Sequence, residues 1–133
     1  IAGPFKNKSA NKATAFKDAP TAEAEWKAYT KGVVPNRMDV EAQLGVMDNC
    51  SAFVRTTIVS PIEQDVFMDM QCDDDVVALL NGTFVSEKLS EVHLEKGENT
   101  LMLKLIENGG GWRFTCRLTK QGKTVKGLTF VAK

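Results

Sequence analysis

Asp65-Val66-Phe67-Met68-Asp69-Met70-Gln71-Cys72 decides the fold. Val66, Met68, Met70 and Cys72 fall on one face, and Asp65, Phe67, Asp69 and Gln71 fall on the other. A two-residue period predicts a strand with one face on a core and one face in water. Trp112, Phe114, Cys116 and Leu118 repeat the pattern against Arg113, Thr115, Arg117 and Thr119. Leu101, Leu103 and Leu105 repeat it against Met102 and Lys104, and Met38, Val40, Ala42 and Leu44 repeat it against Asp39, Glu41 and Gln43.

Turn chemistry separates these runs. Ser60-Pro61 stops a strand over 52–59. Asn81-Gly82 is a strong hairpin signal, because both residues tolerate positive φ. Lys96-Gly97-Glu98-Asn99 and Gln121-Gly122 serve the same role, and Asn108-Gly109-Gly110-Gly111 is a flexible loop before Trp112. Residues 6–24 show little periodicity. Short strands at this spacing predict an all-β, jelly-roll-like antiparallel sandwich of about eight or nine strands. The expected organisation is one domain over 1–133, with a less regular N-terminal segment over 1–36 and a strand-rich core over 37–133.

The chain has 133 residues, 17 Lys+Arg, 17 Asp+Glu and a single histidine, His93. Balanced charge argues against a nucleic-acid or anionic-membrane binder, whose affinity comes from clustered cations. No run approaches the roughly 18 apolar residues of a membrane span. Three cysteines, Cys50, Cys72 and Cys116, leave complete intrachain pairing impossible. They read as one disulfide plus a thiol or as three thiols. A start at Ile1-Ala2-Gly3 reads as an excised domain or a mature fragment.

Asp73-Asp74-Asp75 is the densest charge cluster. Three adjacent carboxylates could supply part of a calcium shell, since calcium prefers hard oxygen ligands. The other reading is a solvated turn in which Asp caps backbone amides. Trp112 reads two ways as well. It follows a glycine loop, where an aromatic ring can stack on a sugar, yet it shares the inward phase of Phe114 and Leu118. Trp26 and Tyr29 either cover one sandwich face or stand as exposed platforms. Arg55, Lys104, Arg113 and Arg117 form either a cationic sheet face for acidic sugars or a solvated face balanced by Asp39, Glu41, Asp65 and Asp69. His93 is expected to point away from the core. No local motif pairs a nucleophile with a base or cradles a phosphate. A non-enzyme is therefore expected.

Several segments together resemble the galactose-binding-like jelly-roll domains attached to secreted bacterial carbohydrate-active enzymes. They are Gly3-Pro4-Phe5, Ala52–Ile58, Asp73–Gly82, Leu94–Lys104 and Gly110-Gly111-Trp112-Arg113-Phe114. That pattern has a Ser-Asp-Asp-Gly turn, a strand ending in Asn-Gly and a Lys-Gly-x-Asn-x-Leu hairpin. Cys72 and Asp75 stand here where Ser and Gly are usual. The resemblance implies a carbohydrate-binding module without catalysis, and it raises calcium as a ligand of paired aspartates. It also implies a polysaccharide or oligosaccharide partner, an appended catalytic domain and an extracellular bacterial location.

Strand parity places the site. If each strand reverses the chain, and 83–95 holds two strands, the aspartate loop and the glycine loop share one rim. The expected ligand-binding residues are Trp112, Asp73, Asp74, Asn108 and Asn49, with Asp48 nearby. The expected metal ligands are Asp73, Asp74 and Asp75. A monomer that binds neither nucleic acid nor membrane is expected. The alternative is a structural interdomain module with no glycan affinity.

Overall fold

The computed structural model describes residues 1–6, 16–17, 19–29, 33–34, 37–45, 49–73, 75–107 and 109–132. Asp48, Asp74 and Asn108 lie outside the described residues. The protein is an all-β sandwich of two antiparallel sheets. Its strands are β1 (Ala2–Lys6), β2 (Val33–Val34), β3 (Arg37–Asp39), β4 (Cys50–Ser60), β5 (Gln64–Cys72) and β6 (Asp75–Leu80). They continue with β7 (Thr83–Val85), β8 (Leu89–Leu94), β9 (Gly97–Glu107), β10 (Arg113–Lys120), β11 (Lys123–Thr124) and β12 (Thr129–Val131). One sheet runs β1-β4-β9-β6-β7, with β12 also on β4. The other runs β2-β3-β10-β5-β8, with β11 on β10. From β3 to β10 every connection except the β6–β7 hairpin crosses between the sheets.

Period 2 sorts the side chains as the sequence predicts. Val66, Met68 and Met70 of β5 and Phe114 and Leu118 of β10 face Val76, Ala78 and Leu80 of β6 and Leu101, Leu103 and Leu105 of β9 across one core. None of the three cysteines forms a disulfide. Asn81 and Gly82 both have positive φ, 49° and 81°, and Leu80 pairs with Thr83 across them. That is the backbone twist a two-residue hairpin needs.

One predicted strand is partly a helix. Met38, Val40, Ala42 and Leu44 were expected to alternate along a strand, but the strand ends at Asp39 and α1 (Val40–Leu44) follows. The Asp39 carboxylate accepts the Ala42 N–H at 3.4 Å, capping the helix, and the Gly45 N–H closes it onto Glu41 O at 2.8 Å. Glu, Ala, Gln and Leu are good helix formers, so a cap at each end tips the local balance.

The N-terminal residues cover the outer face of the first sheet. Phe53 projects outward from β4 yet is fully buried, because the Phe5 and Phe16 rings pack on it at 6.0 and 6.3 Å. The Arg55 guanidinium lies 4.0 Å from the centre of the Trp26 ring and donates to both Glu23 carboxylate oxygens at 2.7 and 2.8 Å. Trp26 itself donates to Pro20 O at 3.0 Å. It is therefore part of this cover and no free-standing platform. Tyr29 packs against Phe114, ring centres 6.2 Å apart, at the edge of the core.

The four cations do not share a face. Arg55 and Lys104 belong to the first sheet, and Lys104 is buried with its ammonium 5.6 Å from the Phe53 ring. Arg113 and Arg117 lie on the second sheet, directly opposite Asp39 and Asp69. The solvated, balanced reading holds for that pair. It leaves the outer face of the second sheet as the open one, with Phe67 and Leu89 both exposed there.

Candidate functional site

The two loops expected on one rim are together. Cys50 pairs with Glu107 and Asp75 with Ile106, so the start of β4, the start of β6 and the end of β9 lie at one end of the sandwich. The Asp73 N–H donates to Arg113 O at 2.9 Å, stitching the aspartate loop to the start of β10. Asp73 Oδ2 would lie 3.4 Å from a Cβ placed on Gly111. The segment 83–95 does hold two strands, β7 and β8, which is what the parity argument needs. Asn49 sits at the same end, exposed, with φ 54°.

Trp112 is the correction at this rim. Its side chain is 0% exposed and joins the core. A stacking platform needs a ring face in water, and this ring has none. The inward phase of β10 runs one residue beyond the strand's first residue, and the Trp112 carbonyl accepts the Val40 N–H at 2.8 Å. The indole N–H has no acceptor among the described residues.

Asp75 uses Oδ1 to accept its neighbour's N–H, that of Val76, at 2.8 Å. This is the amide-capping role of a turn aspartate. A calcium shell at this loop would draw on Asp74, outside the described residues. Among the described residues, the group of His and carboxylate atoms close enough to share one ion is elsewhere, at Glu63, His93 and Glu95.

Beside Asp73 a groove of about 410 Å³ opens on the outer face of the second sheet. Six polar side chains line it: Asp69 and Gln71 from β5, Arg113 and Thr115 from β10, Lys88 before β8, and Asp73 at the rim. Cross-strand register converges them, since Thr115 lies opposite Gln71 and Leu89 opposite Asp69. The Lys88 carbonyl accepts the Met70 N–H at 2.7 Å, which fixes the Lys88 backbone at the groove edge. Leu89 supplies exposed apolar surface, and Cys72 and Phe114, whose side chains turn toward the core, complete the lining. The volume falls within the usual range for small-molecule sites.

Two anions face two cations here, beside an amide and a hydroxyl. Such a lining offers many donors and acceptors without a net field. It suits a hydroxyl-rich neutral molecule better than an ion. Two thiols and a phenol lie near it. Cys72 Sγ donates to Asp73 O at 3.4 Å. Burial, with the Asp69 carboxylate adding to it, pushes the Cys116 thiol up to about 12, which disfavours the thiolate. Burial also raises the Tyr29 phenol, aided by Asp39 and Cys72.

Of the expected ligand residues, the structure brings Asp73 into the groove and Asn49 to the same end, and it buries Trp112. Sequence reasoning did not assign Gln71, Thr115 or Lys88 to a site; it weighed Arg113 as part of a cationic face for acidic sugars and Asp69 as a charge balancing that face. Four of these five carry a signal in the outward phase of their strands. Lys88, in a short connection, carries none. The chain matches no family model, no curated protein and no solved structure. Among the described residues, no helix is long and apolar enough to cross a membrane.

Proposed function

We propose that the protein is a non-catalytic carbohydrate-binding module. It would belong to a larger secreted bacterial protein and hold an appended polysaccharide-degrading enzyme near its polymer. The observation that carries this reading is the charge-balanced polar groove between β5, β8 and β10. Four of its six polar side chains, Asp69, Gln71, Arg113 and Thr115, stand on strands, so most of its donors and acceptors are fixed before a sugar arrives, which limits the entropy lost on binding. Strand order supports a jelly-roll reading of the sandwich: β3-β10-β5-β8 faces β4-β9-β6-β7, with crossings between sheets at nearly every connection. The alternative, a structural interdomain module, calls for a contiguous apolar patch. On the face that carries the groove, exposed Phe67 and Leu89 lie directly across from Glu91 and Asp69.

A glycan array carrying neutral and acidic polysaccharides tests the proposal. Neutral glycans are expected to bind. Arg113→Ala should weaken the best of them about ten-fold to a hundred-fold, the value of losing charge-assisted hydrogen bonds. Its melting temperature should stay near that of the parent, because Arg113 is exposed. An array with no bound glycan would return the reading to the structural alternative.

A further inference from the structure

The end of the second sheet opposite the groove carries a group with a different chemistry. Asp65 on β5 lies directly opposite His93 on β8, and the same register continued past both strands sets Glu63 against Glu95. Asp65 Oδ1 is 2.7 Å from His93 Nδ1. Glu63 Oε2 is 3.0 Å and Glu95 Oε1 3.6 Å from Nε2. All four side chains are exposed.

We propose that Glu63, His93 and Glu95 bind a divalent transition-metal ion of the zinc class, with Asp65 as the residue that orients the imidazole. Three features carry this. First, a zinc ion with bonds of about 2.0–2.2 Å in tetrahedral geometry sets its ligand atoms about 3.4 Å apart. The two carboxylate distances to Nε2 bracket that spacing, and all three ligand atoms lie within 4.8 Å of one another. Second, a carboxylate on the far ring nitrogen is the usual partner of a metal-bound histidine. It holds Nδ1 as the donor, so that an ion can take the Nε2 position and displace the proton that Nε2 shares with Glu63. Third, three carboxylates around one imidazole leave excess negative charge even when the ring is protonated, and opposed like charges destabilise a strand pair. A dication relieves that repulsion. The mix of one nitrogen and two oxygen donors selects zinc-like ions over calcium. A fourth coordination position stays open to water.

The test is calorimetric titration of the full chain with zinc chloride, paired with thermal melts. One zinc per chain is expected, with a rise in melting temperature that grows with zinc concentration by mass action. His93→Ala should abolish binding while leaving the metal-free melting temperature within a few degrees. Asp65→Asn keeps every ligand and should weaken zinc about ten-fold to a hundred-fold. Glycan binding should be unchanged in both variants. No heat of binding up to about 1 mM zinc, or zinc binding that survives His93→Ala, would overturn the proposal.

Discussion

Trp112→Ala is expected to lower the unfolding free energy by about 3–5 kcal/mol, read from the midpoint of a urea melt. The ring is fully buried and heads the largest buried side chains. Its removal leaves a cavity between the start of β10 and the rim that rigid strands cannot fully close. Trp112→Phe should cost less than half as much. Phenylalanine keeps most of the apolar volume and removes an indole N–H that lacks an acceptor among the described residues. Glycan affinity per folded molecule should be nearly unchanged in Trp112→Phe. A platform role predicts the reverse, with affinity lost and stability kept, so the two measurements separate the readings.

Asn99→Ala is expected to cost about 3 kcal/mol, from the same kind of melt. Asn99 is fully buried at the start of β9. Its Nδ2 donates to Ile58 O at 3.2 Å, Glu95 O at 3.0 Å and Gly97 O at 3.1 Å. Its Oδ1 accepts from Glu95 N–H and from Asn81 Nδ2, both at 2.8 Å. One amide thus ties β4, the β8–β9 turn and the β6–β7 hairpin together. Asn99→Asp should be worse than alanine. A carboxylate cannot donate to three carbonyls, and its charge would be buried against them. Asn81→Ala should be milder, because Asn81 is exposed and water can replace its bonds.

Much of the fold is legible because strand chemistry is local. The alternation in 65–72 and 113–118 needs no knowledge of partners, and Asn81-Gly82 encodes its own turn. Parity then brings Asp73 and Gly111 to one rim without any contact being known. What the sequence hides is set by tertiary context. The run at 38–44 has strand phase and helix formers at once, and the Asp39 cap decides between them. Trp112 follows a loop and continues a strand, and only the packed core chooses. Asn99 reads as one residue of a turn, while its bonds reach 41 residues back to Ile58. Arg55 and Arg113 share a polar phase but belong to different sheets, which no period reveals.

The proposed seat of a neutral glycan is the groove beside Asp73. Backbone chemical-shift mapping of the labelled protein, titrated with the best array ligand, tests it most directly. The account predicts that the largest shifts fall on the amides of Gln71, Asp73, Leu89 and Thr115, with those around His93 and on β12 unmoved. Shifts centred on the outer face of the first sheet, around Arg55 and Met102, would contradict it.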